Sequence, residues 1–272
     1  MVRGRRRWRR QWVGSVLGSA AVASLALFCA APAAAARAQA PVVVPYLVTL
    51  AQASRQSPTS ATSPNWAGYV AQAQRPFTAV EGSWVQPAVA CNGSADAAAF
   101  WVGLDGFRDA TVEQVGVKAS CATGRAEYRS WWQLWPGPVH FLPRAYAVHP
   151  SDVMHASVTR SGTTFTLSLR SSAGWSFSTV RSAPADSSSA EWIASSPPAC
   201  RTCGFTGLAN FDTVSFARAR AADGQAMQSI GSFQRDNHLI SVTMIGPGGV
   251  VRARPDPPCR TGSPFVVTWE SP

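Results

Sequence analysis

From Asn65 onward the chain is a succession of short runs rich in Val, Phe, Trp, Tyr and Thr, each closed by a turn signal. The runs cover residues 66–73, 78–85, 98–104, 111–117, 128–135, 153–159, 164–169, 175–180, 190–194, 213–217, 240–245 and 265–269. Short runs closed by turn signals, with no long amphipathic helix between them, predict strands joined by turns. Only 14% of residues are charged, and 20 Pro and 21 Gly punctuate the chain. Those proportions exclude a coiled coil or a helical bundle. The expected fold is all-β, one large antiparallel sandwich without internal repeats.

The formal charge is +10, which invites a nucleic-acid reading. Its distribution argues against one. Seven of the arginines precede Ala38, where no acid occurs, so the rest of the chain carries only +3. Those remaining arginines are scattered rather than clustered, unlike an electrostatic footprint for phosphates.

The arginine-rich residues 1–10 are followed by an apolar stretch over 13–30 and by Ala36-Arg37-Ala38. Charge, apolar stretch and small-residue cleavage site in that order describe a signal peptide over 1–38, and a secreted product with no membrane attachment after cleavage. The stretch is rich in Ala, Gly and Ser, unlike a retained anchor, and Cys29 lacks the small residue that lipidation needs before it. Sec and twin-arginine export both remain open. Residues 39–64, rich in Pro, Ser, Thr and Gln, read as a linker or short propeptide, and 65–272 as the folded domain.

Export places the mature chain where cysteines pair. Five remain: Cys91, Cys121, Cys200, Cys203 and Cys259. Cys91 and Cys121 lie in turn-like segments flanking two predicted strands and are the expected bridge. Cys200 and Cys203 bridge locally, or one of them reaches Cys259. A zinc site would need a second matching pair, and a redox C-x-x-C would need a βαβ setting.

Several hydrolase signatures are absent. There is no G-x-S-x-G, no H-E-x-x-H and no Asp-Thr-Gly or Asp-Ser-Gly. His149, Asp152 and His155 straddle a turn and read as loop residues rather than metal ligands. Neither His140 nor His238 is marked for a serine triad. No cofactor is implied. After residue 38 the glutamates are few: Glu81, Glu113, Glu127, Glu191 and Glu270.

Three groups of motifs stand in order: Asn65-Trp-Ala-Gly-Tyr-Val; Phe100-Trp-Val-Gly-Leu-Asp-Gly leading into Thr111-Val-Glu-Gln-Val-Gly-Val; and Ser189-Ala-Glu-Trp-Ile followed by Leu208-Ala-Asn-Phe-Asp-Thr-Val-Ser-Phe. With these motifs the chain resembles the glutamic peptidases, or eqolisins. The resemblance runs from about Asn65 to Phe216, and Phe265-Val-Val-Thr-Trp resembles the closing strand of prokaryotic members. It implies a lectin-like (concanavalin A-like) sandwich and an acid-active secreted endopeptidase, monomeric, acting on protein or peptide.

By position, the resemblance places the catalytic glutamine on Gln114 and the catalytic glutamate on Glu191. A carboxylate can take a proton from attacking water and pass it to the leaving amine. A neutral amide can donate to the oxyanion. Strand alternation groups Glu191 with Ser189 and Ile193, and Gln114 with Val112 and Gly116, where a missing side chain leaves room for substrate backbone. Glu113 points the other way.

The resemblance further assigns Trp66 and Trp131 to substrate contact and Asp105 to the vicinity of the active site, with Trp101 in the aromatic wall. Trp132 and Trp135 belong to the same aromatic set. Gln133 and Lys118 depart from it: relatives often carry Glu where Gln133 stands, and a fungal relative would show Asp where Lys118 stands. The alternative is a non-catalytic, lectin-like binding module on the same sandwich, which would need an aromatic face but no Glu191–Gln114 pair.

Overall fold

A computed structural model describes residues 42–43, 59–93, 95–199, 204–236, 238–259 and 263–272. The expected signal peptide, most of the expected linker, and Cys200 and Cys203 lie outside the described residues. In chain order the strands are β1 (Val42–Val43), β2 (Ser60–Ser63), β3 (Trp66–Gln72), β4 (Ala79–Val85), β5 (Asp96–Leu104) and β6 (Val112–Ser120). Next come β7 (Glu127–Trp135), β8 (His140–Phe141), β9 (Val153–Ser161), β10 (Thr164–Ser171), β11 (Ser176–Ser182) and β12 (Ser189–Ser195). The last six are β13 (Gly207–Leu208), β14 (Thr213–Ala222), β15 (Gln228–Ser229), β16 (Leu239–Ile245), β17 (Val251–Pro255) and β18 (Phe265–Trp269).

Two antiparallel layers form. One runs β11-β10-β9-β4-β14-β18. The other runs β16-β3-β12-β5-β6-β7-β8. The strand β17 pairs with both β18 and β16 and so joins the layers at one edge.

The first layer alternates cleanly. Met154, Ala156 and Val158 of β9, with Phe165, Leu167 and Leu169 of β10, turn inward and are buried, while Ser157 and Ser168 do not. Facing them across the core are Phe100, Val102 and Leu104 of β5, Val115 and Val117 of β6, and Ala190, Trp192 and Ala194 of β12. This is the ordinary economy of a sandwich, one face packed and one wetted.

The second layer breaks that pattern, because its outer face is apolar as well. Trp66, Val70, Trp101, Trp131, Ile193 and Ile240 form a second buried cluster there, and every residue of β12 is buried.

Cys91 and Cys121 are disulfide-bonded, with Cα atoms 5.5 Å apart, joining the segment before β5 to the residue after β6. Cys259 is also disulfide-bonded. All twelve predicted runs overlap strands. Sequence reading passed over β2, which pairs in parallel with β16 five residues before Asn65, as well as β17 and the helix α1 (Ile230–Arg235). Ser-Ala-Thr-Ser carries no apolar signal, and its strand character comes from docking onto a neighbour already in place.

Candidate active site

Register alone assembles the site. Residues directly opposite one another in adjacent strands point to the same face. One such row reads Ile240, Val70, Glu191, Gly103, Gln114, Gln133. The next, two residues along, reads Gly68, Ile193, Trp101, Gly116, Trp131, Phe141. A third reads Trp66, Ser195, Ala99, Lys118, Arg129. All three lie on the outer face of the second layer. Glu191 and Gln114 thus share a face, two strand spacings or about 10 Å apart, with only a glycine between them.

A cavity of about 450 Å³ opens on this face, and its lining includes Trp66, Trp101, Gln114, Lys118, Trp131 and Gln133. Gly116 keeps the slot between Trp101 and Trp131 clear. A Cβ there would fall 2.2 Å from the Phe100 carbonyl oxygen and 2.6 Å from the Trp101 Cβ. Trp66 meets Trp101 edge-on at 5.0 Å. The Trp101 indole N–H donates to the Ser195 hydroxyl at 3.0 Å, while the Trp131 indole N–H is buried without a hydrogen-bond acceptor.

The two glutamines are oriented in series. Gln133 Nε2 donates to the Gly137 carbonyl at 2.8 Å, and Gln114 Nε2 donates to Gln133 Oε1 at 3.0 Å. The backbone carbonyl therefore fixes which end of each amide is which. One N–H of Gln114 is used in this relay, and the second remains for a ligand.

Glu191 is fully buried and does not line the cavity. The Trp101 ring leans along its own strand until Cζ3 lies 3.0 Å from where a Cβ of residue 103 would be. It therefore fills the space above Gly103. Neither carboxyl oxygen of Glu191 has a well-formed hydrogen bond, although the Ser189 hydroxyl is near enough to offset part of the rise in its pKa. Burial raises its pKa well above the ordinary glutamate value, and the nearby acids Asp109, Asp105 and Glu113 push the same way.

Asp105 is buried and also stands outside the cavity lining. Its carboxylate accepts the amide N–H groups of Ser187 at 2.7 Å and Ser188 at 2.5 Å, and the Thr111 hydroxyl at 3.3 Å. The Asp109 carboxylate accepts from the Gly106 N–H at 2.6 Å and from the Ser188 hydroxyl at 2.5 Å. Together these two aspartates tie the β5–β6 loop to the loop entering β12, which fixes Glu191 relative to Gly103. Burial raises Asp109 to about 6, against the hydrogen bond from Ser188.

Glu113 points to the opposite face from Gln114, toward the sandwich core. It is fully buried, and desolvation, followed by the charge of Asp105, raises it to about 9. Sequence reading missed Ser195 and the wall made by Pro136–Val139 and Pro197–Ala199, all of which line the cavity. The Trp-Pro-Gly-Pro run at 135–138 carries turn residues, but nothing local says which cavity a turn will edge.

The family model of the peptidase A4 family matches residues 64–245. Scytalido-glutamic peptidase bound to a transition-state analog inhibitor is similar in structure, with a TM-score of 0.65 at 19% identity over 76% of this chain and 98% of the other. A member of the eqolisin family, in complex with the tripeptide Ala-Ile-His, gives 0.62 at 20% identity over 76% and 98%. Aspergilloglutamic peptidase from Aspergillus niger gives 0.54 at 20% identity over 64% and 99%. At such identities the likeness establishes the fold. Comparison with curated protein sequences finds no significant match.

Proposed function

The chain belongs to the peptidase A4 family, and from that premise we propose that it is a secreted endopeptidase, active in acid, that hydrolyses peptide bonds with Glu191 and Gln114. The observation that carries the reading is the row Glu191, Gly103, Gln114: a carboxyl and an amide on one face, flanking a position without a side chain. An extended peptide lies in the aromatic cleft beside Gln114. Glu191 takes a proton from water as its oxygen attacks the scissile carbonyl, and the same proton then passes to the leaving amine. The free N–H of Gln114 donates to the oxyanion. Glu191 is fully buried, so side chains around it must shift for water to reach it.

The N-terminal 38 residues serve as the export signal in this reading, and residues 39–64 as a linker or propeptide. No helix among the described residues is long and apolar enough to cross a membrane.

One observation favours a lectin-like binding module instead: Glu191 is fully buried and stands outside the cavity. Digestion of a denatured protein across about pH 2–8, by the unaltered chain and by Glu191→Gln, separates the two. Cleavage that depends on Glu191 supports the peptidase dyad. No cleavage at any pH after removal of the leader leaves the binding module.

A further inference from the structure

Among the described residues lining the cavity, Lys118 alone is charged. It follows Gln114 and Gly116 on the outer face of β6 and is half-buried. Directly across the ladder on β7 stands Arg129, an arrangement in which two like charges repel. The Arg129 guanidinium carbon lies 4.3 Å from the ring centre of Phe141, and Phe141 itself lines the cavity.

Among the described residues, no acid forms an ion pair with either cation. On β5 the residue opposite Lys118 is Ala99, and beyond it on β12 is Ser195, whose hydroxyl takes the Trp101 N–H. Glu127 shares the face, two residues before Arg129, but its Oε1 accepts from the Thr123 hydroxyl at 2.9 Å. The four ion pairs found among the described residues involve neither Lys118 nor Arg129. Desolvation lowers the Lys118 pKa, the mark of an ammonium short of counter-charge.

We propose that Lys118, with Arg129 at the rim, forms a subsite for a carboxylate of the bound peptide, so that the cleft prefers a substrate with an Asp or Glu side chain at that point. This rests on the peptide-cleft reading above. An anion seated between two opposed cations relieves their repulsion, and a partly buried pair is screened less by salt than a surface one. Lysine is a compact charge on a flexible stem rather than a planar fork, so the subsite accepts Asp and Glu alike. Lys118 lies four residues from Gln114 along β6, or about 14 Å. An extended peptide rises at the same rate, so the acidic residue falls about four positions from the bond held at Gln114.

The test uses matched fluorogenic peptides that differ only as Glu or Gln, scanned over positions about three to five from the scissile bond, above the ordinary carboxyl pKa near 4.3. Each is made with a free and an amidated C-terminus. The full secreted protein is assayed for kcat/KM and, separately, for equilibrium binding by quenching of its tryptophan fluorescence. The Glu peptide should lead its Gln partner by roughly tenfold in both readouts. Lys118→Gln should bring the ratio to about one, and Arg129→Gln should lower it less, because Arg129 is exposed.

A ratio near one in the unaltered protein, or a preference that survives Lys118→Gln in a folded variant, overturns the proposal. A preference carried only by the free C-terminus overturns the side-chain assignment. Binding preference without cleavage leaves the subsite standing and removes the peptidase reading, whereas cleavage without preference does the reverse.

Discussion

Glu191 and Gln114 stand in one cross-strand row with a single residue, Gly103, between them. A shift of one residue in β12 or in β6 would send one of the pair into the sandwich core. The relationship is therefore a product of register, and register here is held by packing on both faces of β12.

That arrangement gives the first prediction. Glu191→Gln keeps shape and removes the only proton carrier in the proposed dyad, so peptide cleavage should vanish. Gln114→Ala should lower kcat by about 10²–10³. Both should retain the native circular dichroism spectrum. Near-native turnover in Glu191→Gln would remove Glu191 from the mechanism.

The second concerns pH. A general base must be ionised, and burial raises the Glu191 pKa well above its ordinary 4.5. Activity should therefore climb with pH through a value above 4.5, placing the optimum in weak rather than strong acid. A kcat/KM profile that peaks below about 4 would contradict this.

Stability should run the opposite way, and Glu113 makes the sign plain. Its pKa is about 9 when folded against 4.5 ordinarily. Between those values the folded chain holds a proton that the unfolded chain has lost, so raising pH favours unfolding. Each pH unit across that window costs up to about 1.4 kcal/mol from this group. Asp109, raised to about 6, adds to the trend at lower pH. Thermal unfolding should give the highest Tm near or below pH 4.5 and a lower one at pH 8. Glu113→Gln, an amide in place of a neutral carboxyl, should flatten that decline. A Tm that is flat or rises with pH in the unaltered protein would refute the account.

Much of this was legible in the chain itself. Val153–Ser161 and Thr164–Ser171 alternate inside and outside, so their strands and inward faces follow from period two. The faces of Glu191 and Gln114 follow from the same rule. That Glu191 is fully buried outside the cavity was not legible, because it depends on how the side chains around it pack, the Trp101 indole over Gly103 among them. Nor was the role of Asp105, whose carboxylate is taken up by Ser187 and Ser188, 82 and 83 residues away along the chain.

Gly116 offers a fourth test. Alanine there would drive a Cβ into the Phe100 carbonyl and the Trp101 stem, and overpacking of this kind costs about 1–3 kcal/mol. Chemical denaturation should show the loss, and peptide binding should weaken as the slot between Trp101 and Trp131 distorts. Unchanged stability would mean that the two strands part more easily than their packing indicates.

The Cys91–Cys121 bridge spans 30 residues, and closing a loop of that length stabilises by about 3–4 kcal/mol on chain-entropy grounds. Replacing both cysteines by alanine should lower the unfolding free energy by that order. A midpoint in urea that does not move would show that the two flanking strands, β5 and β6, hold together without it.

The short strand Ser60–Ser63 has a bearing on maturation. It pairs with Ser241–Met244, and the Ser63 hydroxyl accepts the amide N–H groups of Asn65 at 3.3 Å and Trp66 at 3.1 Å. Trimming from the N-terminus that passed Ser60 would strip a ladder from β16 and release the backbone that seats Trp66 in the cleft wall. Any processing protease thus meets a physical stop, since a chain locked into a sheet cannot be drawn into another enzyme's cleft. Were the chain processed, a cut inside Ser60–Ser63 would cost the fold that ladder, so residue 60 sets the inner limit of any trimming the sheet tolerates.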